Sequence, residues 1–201
     1  MPQKWRRIRS EKGEHHRIFT VRNDVCISPR TGLPHDFVIL ESADWVSVVP
    51  VTTDGRLVMV RQYRHGTEEV TLEIPGGLLD PGLTALQGAQ HELRQETGYG
   101  GGRWTQLGSV APVPAVFNNY LHVFLAEDVV LQGEMQLDPG EDIKMELVTF
   151  EQVKHMITEG EINHSQVVSS LYLYQLWLER GADTAGSTGS AEPQLGTDTD
   201  S

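Results

Sequence analysis

The sequence predicts an α+β fold: an α/β/α layered domain on a mixed β-sheet, preceded by a small N-terminal antiparallel β-sheet. Three observations carry this. Strand patterns fill the first part of the chain, and helices join them only from about residue 84. The stretch "TDG" (53–55) separates two apolar runs, "WVSVVPVT" and "RLVMVRQYR", and an Asp-Gly pair in that setting marks a hairpin. Residues 84–97 then repeat apolar side chains at spacings of three and four, the period of a helix with one face on a core.

Each element follows from local chemistry. "WRRIR" (5–9), residues 17–27 and residues 35–41 read as strands of the small sheet. The loop "SPRTGLP" between the last two carries the proline and glycine of a turn. The arginines of "WRRIR" suit a charged edge strand, which resists edge-to-edge aggregation; a phosphate-binding role is the alternative. "EVTLEIP" is a short strand stopped by Pro75 and the Gly76-Gly77 pair. Further strands are expected at about 104–111, 120–130 and 143–150. Thr149 and Gln152 have capping-box spacing for a helix over "FEQVKHMITEG". A last helix is expected over about 164–180, ending before Gly181. The sequence from Gly181 onward is too poor in apolar residues to offset its ordering entropy, and a disordered tail is expected there. The expected division is therefore 1–43 for the small sheet, 44–180 for the main domain and 181–201 for the tail.

Composition narrows the function. The 201 residues carry a formal net charge of −12, with 22% charged and 38% hydrophobic residues. A soluble globular protein fits this balance, and a nucleic-acid binder, which needs a basic face, does not. An anionic small ligand remains compatible, because a bound cation inverts local charge. The single cysteine, Cys26, forbids an internal disulfide and reads as a small buried side chain. No apolar run is long enough for a membrane span, and the basic N-terminus has no apolar stretch behind it, so a cytoplasmic location is expected. None of the eight histidines shows zinc-site spacing. Trp45, Trp104 and Trp177 lie in periodic apolar segments and read as core or interface residues.

The helix at 84–97 carries the chemistry. Leu86, Ala89 and Leu93 form its expected core stripe, and Glu92 and Glu96 lie together on the flank of that stripe. His91 and Gln95 form a second pair turned towards water. Like charges four apart on a helix repel by a few tenths of a kcal/mol. A solvated face tolerates that; a divalent metal would turn it to use, since carboxylate oxygens are ligands for hard cations. Upstream, "EIPGG" delivers a strand into two glycines, where a ligand can approach the backbone.

At this point the chain resembles the Nudix hydrolases, whose signature is G-x5-E-x7-R-E-U-x-E-E-x-G-U, with U a bulky apolar residue. Gly77, Glu92, Leu93, Glu96, Gly98 and Tyr99 match it. "VRQYR", "LEIPGG", "ETGY" and "EDIKMELVTFEQV" resemble the ADP-ribose pyrophosphatase-like branch in order and spacing, over about residues 5–180. Three signature positions differ: Leu83 replaces the first glutamate, His91 the arginine, and Gln95 the first glutamate of the Glu-Glu pair.

The resemblance implies a Mg²⁺- or Mn²⁺-dependent diphosphatase acting on a nucleoside diphosphate linked to a sugar. It implies Glu92 and Glu96 as metal ligands with the Gly76 carbonyl, and Glu141 as catalytic base, with Asp142 and Glu134 as alternatives. Arg64, or else Arg61, would meet the diphosphate. Glu73 would contact substrate or pair with an arginine. Asn119 would contact a sugar or simply shape a turn. The small sheet would form a homodimer. The three altered positions keep a second reading open, a nucleotide-binding module of the same fold without turnover.

Overall fold

The computed structural model describes residues 1–186, the last five through their backbone only. Three antiparallel strands come first: β1 (Arg6–His15), β2 (Thr20–Ile27) and β3 (Pro34–Glu41), with β2 in the middle. β1 is exposed along its whole length. The carboxylate of Asp24, buried on β2, accepts hydrogen bonds from Ser10, Arg22 and Arg7 and ties β1 to β2. Arg7 and its neighbours on "WRRIR" thus serve this edge strand.

The main sheet contains β4 (Trp45–Thr52), β5 (Leu57–Arg64), β6 (Glu69–Glu73), β7 (Gly76–Leu78), β8 (Tyr99–Gly100), β9 (Arg103–Val110), β10 (Leu121–Leu131) and β11 (Ile143–Val148). Its central order is β11-β5-β4-β10-β8; β6 adds to β5, β7 to β4 and β9 to β10. The β4–β10 pair is parallel and its neighbours are antiparallel, so the sheet is mixed as expected. The Asp54-Gly55 turn joins β4 to β5, with Gly55 at φ 80°.

Helix α1 (Ala85–Thr97) covers one face, and α2 (Phe150–Thr158) and α3 (Ser165–Gly186) lie on the other. Side chains sort between the faces with the period of two that a strand imposes. Val58, Phe124 and Ala126 pack with Ala89 and Leu93 of α1. Leu57, Met59 and Leu125 pack with Val153 of α2 and Leu171 of α3. Burial on both sides explains why β4, β5 and β10 are continuous apolar runs.

Two helix boundaries have clear local causes. Thr84 and Gln87 form a capping box at the start of α1, and Thr149 and Gln152 form the expected one at α2. α1 ends at Gly98, in the left-handed region at φ 73°. Two expectations need correction. Leu86 is 38% exposed, because Ala85, one residue earlier, takes the place against the core at the first turn. The last helix does not stop before Gly181; it continues to Gly186. Of the tail expected at 181–201, the part after residue 186 lies outside the described residues.

Candidate active site

β7 pairs antiparallel with β4, setting Gly76 opposite Ser47 and Gly77 opposite Val46. Both glycines are fixed by close approach. A Cβ at Gly76 would lie 2.3 Å from the Val46 carbonyl oxygen, and one at Gly77 would lie 2.5 Å from Oε1 of Glu92. The absent side chains let α1 bring two carboxylates against the strand. The Gly76 N–H donates to Oε2 of Glu96 at 3.0 Å.

These residues line one end of a cleft of about 680 Å³. Glu96 is only 3% exposed and Glu92 is half-buried. Burial, then the Glu141, Asp80 and Asp138 charges, pushes the Glu92 carboxyl up to about 7. Burial, then the neighbouring Glu92, pushes Glu96 up to about 8, although the Gly76 hydrogen bond opposes this. Both carboxyls are pushed up by burial and by neighbouring negative charge, a penalty that a bound cation would offset.

The donor set fits Mg²⁺ or Mn²⁺. Glu92, Glu96 and the Gly76 carbonyl are all hard oxygen donors. Among the described residues no three Asp, Glu, His or Cys side chains form a ready-made cage. That suits an ion that keeps several waters and takes one or two carboxylates together with substrate phosphate oxygens.

Glu141 lines the same cleft, on the loop between β10 and β11; Asp142 and Glu134 are not among the lining residues. Its Oε2 accepts from the Asp138 N–H at 2.9 Å. Gln95 does not face open water: it lines the cleft, its Nε2 donates to Oδ1 of Asp138 at 3.3 Å, and its backbone carbonyl accepts from the Gln136 N–H at 2.8 Å. A glutamate here would set a carboxylate against Asp138, so glutamine suits this loop. His91 also lines the cleft, on its exposed rim, while Leu83 is exposed ahead of α1.

The arginines separate. Arg64 lines the cleft and forks onto Glu73, with Nε and Nη2 each 2.6 Å from a carboxylate oxygen. Glu73 is 3% exposed and also accepts from Thr71 at 2.5 Å. Arg61 does not reach the cleft; it pairs with Glu146 and Glu161, each at 2.6 Å. Three residues apart on one strand, the two arginines point to opposite faces. Asn119 is also outside the cleft. It is buried, and its Nδ2 donates to the Ala43 carbonyl at 2.9 Å, so it braces the approach to β4.

Sequence reasoning missed several lining residues: Arg17 and Ile18 from the β1–β2 turn, and His164 just before α3. Trp45 lines the cleft as well as packing against Phe117, at 5.6 Å between ring centres. Residues 17–27 read as one strand, but β2 begins only at Thr20 and the three residues before it belong to a turn, which nothing in the sequence aims at residue 77.

Comparison with known proteins agrees with this geometry. The NUDIX domain family model matches residues 42–171. The ADP-ribose pyrophosphatase of Bacillus subtilis (strain 168) is 32% identical over 132 residues, covering 65% of this chain and 71% of that protein. The ADP compounds hydrolase NudE of Escherichia coli (strain K12) is 26% identical over 164 residues, covering 81% and 87%. A crystal structure of an ADP compounds hydrolase superposes with a TM-score of 0.78 at 25% identity, covering 90% of this chain and 97% of that one. With its signature glycine against β4, a buried and a half-buried glutamate on α1 and a family match across the main domain, this chain belongs to the Nudix hydrolases.

Proposed function

We propose that this Nudix hydrolase cleaves the pyrophosphate of a nucleoside diphosphate linked to a sugar, of the ADP-ribose class, giving a nucleoside monophosphate and a sugar phosphate. The observation that carries the proposal is the meeting of Glu92, Glu96 and Glu141 in one cleft beside Gly76 and Gly77. The names of the relatives, an ADP-ribose pyrophosphatase and an ADP compounds hydrolase, support the substrate class.

Glu92, Glu96 and the Gly76 carbonyl would hold Mg²⁺ or Mn²⁺. When bound, the cation neutralises the diphosphate and lowers the pKa of a bound water. Glu141, oriented by the Asp138 N–H, takes the proton of the attacking water. The new bond joins the water oxygen to one phosphorus. The bond from that phosphorus to the bridging oxygen breaks, and the departing phosphate keeps the electron pair. Arg64, fixed by Glu73, has guanidinium N–H groups left over to meet a phosphate oxygen.

The small sheet serves as a homodimer surface in this reading. In the small sheet Ile8 of β1 and Phe37 and Val38 of β3 are 50%, 39% and 55% exposed, apolar surface that a second copy would cover in part. Light scattering tests the dimer. Product analysis tests the reaction, using ADP-ribose, ADP-glucose, UDP-glucose, GDP-mannose, NADH and a dinucleoside polyphosphate with Mg²⁺ or Mn²⁺. Metal-dependent cleavage by the wild type that disappears in Glu96→Gln is expected. Ligand-induced stabilisation without product would support the binding-module reading instead.

A further inference from the structure

We propose that His164, just ahead of α3, is a substrate-binding residue whose Nε2–H donates a hydrogen bond to a sugar hydroxyl of the substrate. This role rests on the reaction just proposed and concerns how the same cleft reads the substrate outside its diphosphate.

His164 lines the cleft, and one of its ring nitrogens is unanswered. Nδ1 is buried without a hydrogen-bond partner. Among the described residues only one other buried side-chain atom shares that state, Oδ1 of Asn119, outside the cleft. Proteins pair their buried polar groups, so such an atom calls for a reason. A neutral imidazole carries one proton, and the surroundings of its two nitrogens decide which of them holds it. A buried lone pair without a donor is tolerated more readily than a buried N–H without an acceptor. The proton therefore belongs on Nε2. That nitrogen makes no hydrogen bond to the described residues and is not shut off from solvent, so it opens onto the cleft as a donor.

The backbone on both sides of the ring is fixed. Ile162 and Val167 are buried in the core shared with α2 and α3. The Ile162 N–H donates to the Met156 carbonyl at 3.1 Å, and the His164 carbonyl accepts from the Val168 N–H at 3.0 Å. His164 also acts on the Arg64–Glu73 pair: burial would raise the Glu73 carboxyl, but Arg64, Thr71 and lastly the nearby His164 ring hold it below the ordinary range. Arg64 answers the charge of Glu73, and Gln166, Val167 and Ile74 add neutral lining. The rest of the cleft differs. Its metal end is acidic, and another stretch of wall is aromatic, with Trp45 packed on Phe117 and the Phe19 ring edge-on to Phe117 at 6.5 Å. Arg64 and the cation suit phosphate oxygens. A neutral N–H beside an amide and two apolar side chains suits a neutral hydroxyl.

The test uses the full chain as wild type, His164→Ala, His164→Gln and His164→Asn. The half-buried ring makes no side-chain hydrogen bond that holds the fold, so each variant should melt within about 4 °C of wild type. For ADP-ribose cleavage with Mg²⁺, His164→Ala should raise KM about three- to tenfold, the loss of one neutral hydrogen bond, with kcat within about twofold. Glutamine sets an amide N–H near the place of Nε2 and should recover at least half of that loss. Asparagine sets its amide near the place of Nδ1 and should not. Inorganic pyrophosphate with Mg²⁺ has no sugar, and calorimetry should find it bound equally by all four forms. Nuclear magnetic resonance of ¹⁵N-labelled histidine, in buffer basic enough to keep imidazole neutral, should find the His164 proton on Nε2, with the signals identified by their absence from the variants. A wild type that cleaves ADP-ribose alongside a His164→Ala variant with unchanged KM would overturn this inference and leave the proposed reaction standing. Recovery by asparagine and not by glutamine, pyrophosphate affinity lost in His164→Ala, or a proton on Nδ1 would also overturn it. A wild type that cleaves no member of the substrate panel, yet binds ADP-ribose more tightly than His164→Ala does, would sink the proposed reaction and keep His164 as a sugar-binding residue. A wild type that neither cleaves nor binds ADP-ribose would sink both.

Discussion

Replacing Glu96 by glutamine separates stability from activity in a way that few substitutions can. Glu96 sits 3% exposed against Gly76, and its carboxyl is pushed up to about 8 from an ordinary value of 4.5. The sign follows from linkage. Between pH 4.5 and 8 the folded protein holds a proton at Glu96 that the unfolded chain has released, so metal-free stability falls as pH rises through this window. A pKa difference of 3.5 units at about 1.36 kcal/mol each gives roughly 4 kcal/mol lost by pH 8, where the folded group is half ionised. Relaxation of the side chain towards the cleft returns part of this, leaving about 2–4 kcal/mol. Glutamine is neutral at every pH, and its amide oxygen still accepts from the Gly76 N–H. Glu96→Gln should therefore melt about 5–15 °C above wild type at pH 8 in a chelator, and close to wild type at pH 4.5. Mg²⁺ should raise the wild-type melting temperature at pH 8 and leave the variant unchanged. Calorimetry at the two pH values, with and without Mg²⁺, checks all of this. A variant less stable than wild type at pH 8 in chelator would refute the argument that the buried charge opposes folding.

Other predictions follow from the same cleft. Glu141→Gln should lower kcat about 10²–10⁴-fold with KM nearly unchanged, measured on ADP-ribose, because it would remove the proposed general base and leave binding intact. Arg61→Ala should keep kcat/KM within about twofold, whereas Arg64→Ala should lower it at least tenfold and, by leaving buried Glu73 unpaired, destabilise the fold by about 2–4 kcal/mol in urea titration. Gln95→Glu, although it restores the signature glutamate, should lower kcat about three- to tenfold, because the new charge opposes Asp138 and loosens the loop that carries Glu141.

Much of this was legible in the sequence, and the misses have physical causes. Apolar runs on either side of the Asp-Gly turn placed the central hairpin, and the Gly77–Tyr99 register placed Glu92 and Glu96 side by side on α1. Arg61 and Arg64 were separable in principle, since an odd spacing on a strand puts them on opposite faces. Leu86 was misassigned because periodicity defines a stripe on a helix but not how far the sheet beneath it extends. His91 is exposed as expected, but Gln95 is covered by a loop that comes about 40 residues later, which no helical pattern encodes. Arg17 was invisible for a related reason: its turn reaches the cleft only through Ser42 and Phe117, contacts that no local pattern encodes.

The chain of rings from Phe19 through Phe117 to Trp45 has a consequence for assembly. It joins a wall of the cleft to the sheet whose outer strand lies bare. A ligand pressing on Trp45 and a second copy docking on β1 would each bias the same stack of side chains. Any such coupling is reciprocal: whatever assembly adds to ligand affinity, ligand must return to assembly. With Trp5, Trp104 and Trp177 replaced by phenylalanine, Trp45 emission would register both events, making that indole a reporter at each end of the linkage.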